Sequence, residues 1–391
     1  MSTLLYVFLI PFCTELVNSG IMYQMKVGVV NCSSTYNLAC NKIANYHRDL
    51  GDEVVTSNHY DPLFMSDASK VYFSIIFTWE LPKAISMINQ AKANSDVEIG
   101  GPASTFMHNW VNTNTGIEPH IGLDSRFEFA GGKYKVTFTS RGCPHNCLFC
   151  GVRKVEPVAI EYALPKCVKC GSQEVEVSGN ELKCQKCSTK VTREGTYSIA
   201  PMLSDNNILA TSFAHQYELV NRLSCLNSTI DINSGFDCRF FVEEHYNLYS
   251  KLKLRFWRLA FDTMAVESDF ERVMKLLTSK GHSRHDILVY VLAGFNDTPE
   301  EVHYRACKVI SLKGAPYIMR FWPLNSLDRT YVDKSWISSE GSKSEADKLL
   351  RKLVAYYNHP EFWTSVSWDK FNPRSKPEPL NFQQPMLTGF S

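Results

Sequence analysis

Three cysteines, Cys143, Cys147 and Cys150, follow one another with Cys-x3-Cys-x2-Cys spacing. Three thiolates at this spacing can hold three irons of a four-iron, four-sulfur cluster and leave the fourth iron without a protein ligand. That iron is then free to bind a small molecule, whereas a structural cluster would normally be closed by a fourth cysteine. The competing readings of the same residues are a zinc site and unconnected buried thiols. A second set follows: Cys167 and Cys170 form one Cys-x2-Cys knuckle, Cys184 and Cys187 another. Four soft thiolates on two tight turns match tetrahedral zinc. The rivals there are a rubredoxin-like iron and a second iron–sulfur cluster. With cysteine in all four positions, a catalytic zinc is not expected.

These two sets take seven of the 13 cysteines in a chain of 391 residues. Cysteine used this way, without a convincing secretory leader, implies a reducing, cytoplasmic setting and metal ligation in place of disulfides. The scattered thiols, Cys13, Cys32, Cys40, Cys225, Cys238 and Cys307, read mostly as small core residues. The charge balance of 41 basic and 40 acidic residues gives no global field favouring nucleic acid or anionic membrane. Leu4 to Phe12 is apolar but too short to span a bilayer, and no Lys or Arg precedes Lys26. Residues 1–25 are therefore expected to be a leader or a misassigned start, with a docked element or a weak membrane-associated segment as rivals.

The elements that must position these ligands divide the chain. From 26 to 120, strand-like runs at Lys26–Val30, Glu53–Thr56, Val71–Phe77 and Val97–Gly101 alternate with helical segments. That alternation predicts an α/β, doubly wound, Rossmann-like parallel sheet. From 130 to 325, further strands are expected at Tyr134–Thr139, near Asn207–Leu209, and at Thr229–Asn233, Arg255–Phe261, Ile287–Leu292 and Tyr317–Phe321. With crossover helices at Ser268–Ser279 and Pro299–Leu312, these predict a partial six-stranded (β/α)6 barrel. The first strand delivers the three-cysteine loop from its C-terminal end, where α/β barrels place their sites. The four-cysteine unit, 160–195, is a small insertion whose metal would supply its folding energy. A C-terminal helical and irregular extension, 326–391, carries Trp363, Trp368 and Phe371, expected to cover the open side of the barrel.

Taken together, Cys143, Cys147, Phe149 and Cys150 resemble the signature of the radical SAM enzymes, in which an aromatic residue precedes the third cysteine. The resemblance implies a [4Fe-4S] cluster that binds S-adenosyl-L-methionine through its open iron and cleaves it reductively to a 5′-deoxyadenosyl radical. It also implies a small electron donor of flavodoxin or ferredoxin type. By the same resemblance, Leu292 and Gly294 would support the adenine, and Asp205, Asn206 and Asp237 would contact the methionyl end or the rest of the cofactor. Asp237 and Arg239 can alternatively pair with each other, and Arg258, Asp262 and Arg320 lie near other strand ends. The segment 26–120 is similar to the cobalamin-binding-like domain that precedes some of these barrels. However, neither His47 nor His59 sits in an Asp-x-His-x-x-Gly pattern, so weak or no cobalamin binding is expected, with this domain covering the substrate side.

The expected function is therefore a radical SAM reaction on a substrate the sequence does not identify. A cobalamin-dependent radical SAM methyltransferase is the most specific alternative. From a different class comes a zinc-ribbon nucleic-acid-binding protein with a structural cluster. The basic ribbon residues Lys166, Lys169, Lys183, Lys186, Lys190 and Arg193 hint at a nucleic-acid or acidic protein partner. A non-catalytic scaffold derived from the enzyme is disfavoured by the intact three-cysteine motif.

Overall fold

Buried runs of β-branched residues flanked by amphipathic helices produce two parallel-stranded units, seen in a computed structural model. It describes residues 24–373 apart from 129, 133, 163–166, 168, 173–174, 179–180 and 192–198. The expected N-terminal leader lies outside the described residues. In the first unit, β1 (Lys26–Asn31), β2 (Glu53–Ser57), β3 (Lys70–Ser74) and β4 (Asp96–Gly100) form a parallel sheet in the order β2-β1-β3-β4. Its two central strands are buried through most of their length, as parallel strands covered on both faces must be. Helix Leu81–Ala91 packs Ala84 and Ile88 against Val71, Phe73 and Ile99 on one face. Helix Leu38–Asp49 packs Ile43 and Ala44 against Val27, Val29 and Tyr72 on the other. Asn37 starts that helix by accepting the Cys40 N–H at 3.4 Å.

The second unit begins with β5 (Val136–Thr137). The antiparallel pair β6 (Ser140–Arg141) and β7 (Ile160–Glu161) follows, and then the insertion strands β8 (Val175–Ser178), β9 (Glu181–Cys184) and β10 (Lys190–Val191). The remaining strands are β11 (Met202–Leu203), β12 (Asp231–Ile232), β13 (Trp257–Ala260), β14 (Ile287–Ala293) and β15 (Ala315–Arg320). They form two parallel three-stranded sheets, β12-β11-β5 and β13-β14-β15. A single parallel bridge, Ile230 to Leu254, joins the sheets, with Ile230 N–H donating to Lys253 O at 2.9 Å. The six strands are thus neighbours in chain order, but the ladder is interrupted. The expected continuous six-stranded barrel sheet gives way to two sheets and a bridge. The strand expected near Asn207–Leu209 is also corrected: Ile208–Ala210 is a 3-10 turn and β11 lies earlier. Ile208 and Leu209 are buried without being extended, so their apolar character carried no strand information.

Alternation along β14 shows what holds this unit together. Ile287, Val289, Val291 and Ala293 are fully buried in the core formed with helices Glu267–Ser279 and Pro299–Ser311, whereas Leu288, Tyr290 and Leu292 on the other face are half-buried. Complete burial of such a branched side chain is worth about 1.5–3 kcal/mol, and a charge at Val291 would break the packing. Helix Pro299–Ser311 starts with a capping box: Thr298 Oγ1 accepts the Glu301 N–H at 3.3 Å, and Glu301 Oε2 accepts the Thr298 N–H at 3.1 Å. At the free side of β15, the Asn358 side chain accepts the Ile318 N–H at 2.5 Å and donates to Ile318 O at 3.0 Å. An amide thereby occupies backbone groups that an edge strand would leave unpaired. Trp368 and Phe371 pack on Tyr356 of the preceding helix, Lys343–Tyr357, which also lies against β15.

Candidate metal centres

The three-cysteine loop leaves β6 at a sharp bend that its neighbours hold in place. Gly142 has φ +73°, and a Cβ there would strike the backbone of Val158, so glycine is required. The Gly142 N–H donates to Glu156 Oε2 at 2.8 Å, and the Arg141 guanidinium reaches Glu156 Oε1 at 3.3 Å. Arg141 also donates twice to Glu128 Oε1, at 3.0 and 2.9 Å, and Lys42 of the first unit lies 3.0 Å from Glu128 Oε2. Burial lowers the Lys42 ammonium to about 8 despite the attraction of Glu128. This buried network ties the loop to the first sheet. On the same side, a Cβ on Gly151 would meet Phe106 and Leu324, so the loop is wedged between the two units.

Asp205, expected at the methionyl end of a cofactor, anchors the strand end through one of its two oxygens. Its Oδ1 accepts from Thr139 N at 2.9 Å, Thr139 Oγ1 at 3.1 Å, Ser140 Oγ at 2.5 Å and the Ser140 N–H. Burial raises its carboxyl to about 6, against these hydrogen bonds, and Oδ2 is buried without a partner. Asn206 donates to Glu156 and belongs to the loop scaffold. The adjacent Asn207 approaches the thiols: its Nδ2 is 2.8 Å from Asp237 Oδ2 and 3.7 Å from Cys143 Sγ, while its Oδ1 is buried and unpartnered.

Asp237 and Arg239 form a two-pronged pair, with Nε to Oδ1 at 2.7 Å and Nη2 to Oδ2 at 2.8 Å. Burial favours the neutral Asp237 carboxyl, but the hydrogen bonds and charge of Arg239 outweigh it and lower the pKa. The other Arg239 nitrogen, Nη1, reaches to 4.0 Å from Cys147 Sγ, placing a permanent cation against a thiol. His145 Nε2 lies 3.0 Å from Asp237 Oδ2, and its ring stacks on Phe240. Burial and the nearby Cys147, Cys143 and Asp262 charges raise the Cys150 thiol, although the Val152 N–H donates to its sulfur at 3.5 Å. Phe149 meets Phe295 edge-on at 5.6 Å, bringing the loop beside the end of β14. There the Gly294 N–H donates to Asp297 at 3.0 Å and the Leu292 N–H to Asp262 at 3.2 Å. Arg258 is taken up in a buried pair with Asp231 at 2.6 and 2.8 Å. Arg320 is bound to Asp347 at 2.7 Å.

The four-cysteine insertion closes on itself. Cys167, Cys170, Cys184 and Cys187 place all four sulfurs within 4.8 Å of one another, forming a group able to hold a metal ion. Two of the Sγ–Sγ separations are 3.5 and 3.6 Å. A Zn–S bond of about 2.3 Å in tetrahedral geometry requires roughly 3.8 Å between sulfurs. The two knuckles repeat one backbone design. Gly171 N–H donates to Cys167 O and Ser188 N–H to Cys184 O, both at 2.8 Å, and each donor residue has positive φ. Cys167 N–H and Cys184 N–H in turn donate to Ser172 O and Thr189 O, both at 2.9 Å. Hydrogen bonding with Thr189 draws the Cys187 thiol down to about 6. Lys169, Lys183 and Lys186 are exposed around this site, whereas Lys166 and Arg193 lie outside the described residues.

Of the two histidines considered for cobalt, His59 is largely exposed, with Nδ1 3.4 Å from Ser57 Oγ and Nε2 4.0 Å from Asp61, and only His47 is enclosed. His47 is buried, with Nδ1 2.8 Å from Asp52 and Nε2 3.1 Å from the Tyr72 hydroxyl. At the ends of β1 and β3, where strand order reverses and ligands usually enter such sheets, the Asn37 side chain donates to Asn31 Oδ1 at 3.2 Å and to Ser74 Oγ at 3.0 Å. No helix among the described residues is long and apolar enough to cross a membrane. Two thiols read as core residues are corrected: Cys225 and Cys307 are exposed, whereas Cys40 and Cys238 are buried. Sequence reading missed Glu156 and Asn207 as loop-shaping groups; the proximity of Arg141 to the motif signalled a buried counter-charge, but nothing in the spacing singled out Glu156. No protein-family model matches the chain, and no curated protein matches it.

Proposed function

We propose that the chain is a radical SAM enzyme, with Cys143, Cys147 and Cys150 holding a [4Fe-4S] cluster and S-adenosyl-L-methionine as co-substrate. The observation that carries the reading is the convergence on the three-thiol loop of Asn207, Asp237 and Arg239, from the segments following β11 and β12. The chain-order succession of six parallel strands, linked across the bridge at Ile230, is consistent with a partial barrel around this loop. The donor set fits the group: three soft thiolates, no fourth cysteine beside them among the described residues, and an arginine to offset their charge. The unpartnered oxygens of Asn207 and Asp205 are acceptors suited to an ammonium group.

When bound, such a cluster supplies the electron for reductive cleavage of the sulfonium. This chain's own residues orient and enclose. Glu156 fixes the bend at Gly142, Asp205 fixes the strand end, and Arg239 neutralises thiolate charge. Phe149 and Phe295 exclude water on the β14 side. Leu148, 80 % exposed between Cys147 and Phe149, leaves the outer face of the loop open to a small electron-donor protein. The four-cysteine insertion is assigned a structural zinc, on its tetrahedral sulfur spacing. With His47 held by Asp52 and Tyr72, and with neither His47 nor His59 in a cobalt-ligating pattern, that sheet is read as a cover beside the loop and not as a cobalamin binder. Anaerobic reconstitution followed by a SAM cleavage assay tests the proposal: dithionite-dependent release of methionine and 5′-deoxyadenosine supports it, and their absence with a full iron complement contradicts it.

A further inference from the structure

Cys307 sits in a setting unlike that of any other scattered thiol among the described residues. It projects from helix Pro299–Ser311 one turn after His303, and its sulfur lies 3.6 Å from His303 Nε2 and 3.3 Å from the Tyr357 hydroxyl. The third side of the triangle is closed as well, with the Tyr357 hydroxyl 2.8 Å from His303 Nδ1. Tyr357 belongs to helix Lys343–Tyr357, is 1 % exposed and stacks on Trp368, so it is a fixed post. His303 is confined between this tyrosine and Trp368, whose ring centroid is 5.4 Å away. The residue is exposed, with its sulfur partly covered on the Tyr357 side.

The three contacts need three hydrogens, and both a neutral and an ion-pair assignment satisfy all of them. In the neutral form the thiol donates to Nε2, Nδ1–H donates to the tyrosine oxygen, and the tyrosine O–H donates to sulfur. Moving one proton from sulfur to Nε2 gives a thiolate that accepts from both Nε2–H and the tyrosine, with every other hydrogen where it was. No side chain moves between the two states. Nucleophile, base and orienting third group are the elements of an activated thiol. The hydrogen bond from His303 accordingly lowers the Cys307 pKa against partial burial. Cys225 provides an internal control: it is also exposed, but its recorded partner is the Asn221 carbonyl oxygen at 3.3 Å.

We propose that Cys307, with His303 as base and Tyr357 as orienting group, is a reactive thiol site that takes small electrophiles, hydroperoxides in particular. The thiolate attacks the terminal peroxide oxygen, the O–O bond breaks, and the departing oxygen takes the Nε2 proton. The products are cysteine sulfenic acid, water (or an alcohol) and neutral imidazole; sulfur is oxidised by two electrons and the peroxide is reduced. This site is separate from the three-cysteine loop and stands whichever chemistry that loop performs.

The test is residue-resolved alkylation of the folded holoprotein by limiting iodoacetamide at pH 7, read by peptide mass spectrometry. Cys307 should react roughly tenfold faster than Cys225, and His303→Gln should remove most of that advantage while leaving the Cys225 rate unchanged. Brief exposure to hydrogen peroxide with a dimedone-type trap should then label Cys307 and not Cys225. Equal alkylation rates for the two thiols in the native protein, or peroxide labelling that does not favour Cys307, would overturn the proposal without reference to any variant.

Discussion

The two cysteine sites solve the problem of ligand placement in opposite ways. The four-cysteine insertion carries its geometry within itself: two knuckles of the same backbone design bring all four sulfurs together, and each knuckle is held by its own turn hydrogen bonds. The three-cysteine loop relies on groups from elsewhere in the chain. Glu156, Asp205, Asn207 and Arg239 hold or face it, and Lys42 and Glu128 anchor it to the first sheet. A self-closing site suits a structural ion, which needs only a complete shell. A site shaped from outside suits chemistry, because the same surroundings that position the ligands also line the space for a bound molecule.

The largest expected effect separates the two sites directly. Replacing Cys143, Cys147 and Cys150 together with Ala should remove essentially all iron and its visible absorption while leaving about one zinc per chain. A fourfold Cys→Ser change at Cys167, Cys170, Cys184 and Cys187 should do the reverse, losing the zinc and retaining the iron. Proportional loss of iron in the fourfold variant would mean that the insertion holds an auxiliary cluster. Metal analysis of both variants decides this.

A smaller effect is expected from the scaffold of the loop. Glu156→Gln keeps the shape but removes the charge facing Arg141 and weakens acceptance at the Gly142 N–H. Breaking one partner of a buried charged network typically costs about 3–5 kcal/mol, and here the loss should appear as faster iron release to a chelator with secondary structure unchanged. Iron retention equal to the parent would show that the bend at Gly142 is held by other contacts.

Asp205 offers a pH signature. Its folded-state carboxyl is raised from 3.8 to about 6 by burial, so the folded protein binds a proton that the unfolded chain releases between those values. Its contribution to stability is therefore full below about 4 and falls as pH rises through about 6. Asp205→Asn should flatten that part of the stability profile, by an amount on the order of 2–3 kcal/mol at about 1.4 kcal/mol per pH unit. Chemical denaturation of both proteins at pH 4, 5, 6 and 7 measures it; parallel profiles would contradict the assignment.

Much of this contrast was legible in the sequence because both sites are local in sequence. Cysteine spacing specifies a knuckle or a loop within a few residues, and the strands from Lys26 to Gly100 announce themselves through buried β-branched runs. Short strands were harder. β11 has two residues, Met202 and Leu203, and the more apolar Ile208–Ala210 beside it is a turn. The groups around the loop come from sequence positions as far apart as Lys42 and Arg239, and no period or spacing connects them. Asp205 illustrates the limit: the strand was expected near Asn207–Leu209, after it, and nothing local showed that its Oδ1 serves Thr139 and Ser140, a contact between neighbouring strand ends. Cys307 was invisible for the same reason, since Tyr357 meets it only through packing of two helices.

The smallest effect is expected at the first sheet. Purification with hydroxocobalamin should leave no stoichiometric cobalt on the protein, and His47→Ala should lower stability without changing that result. Tight retention of cobalamin would show that the corrin binds without the pattern that supplies a histidine ligand.

The central claim is that the three-cysteine loop leaves one iron open. Electron paramagnetic resonance of the reduced, reconstituted protein, recorded with and without S-adenosyl-L-methionine, tests it most directly. A four-iron cluster signal is expected whose g-values shift when S-adenosyl-L-methionine is added, in the parent and in the fourfold ribbon variant alike. A cluster signal indifferent to S-adenosyl-L-methionine, or one that disappears with the ribbon cysteines, would contradict it.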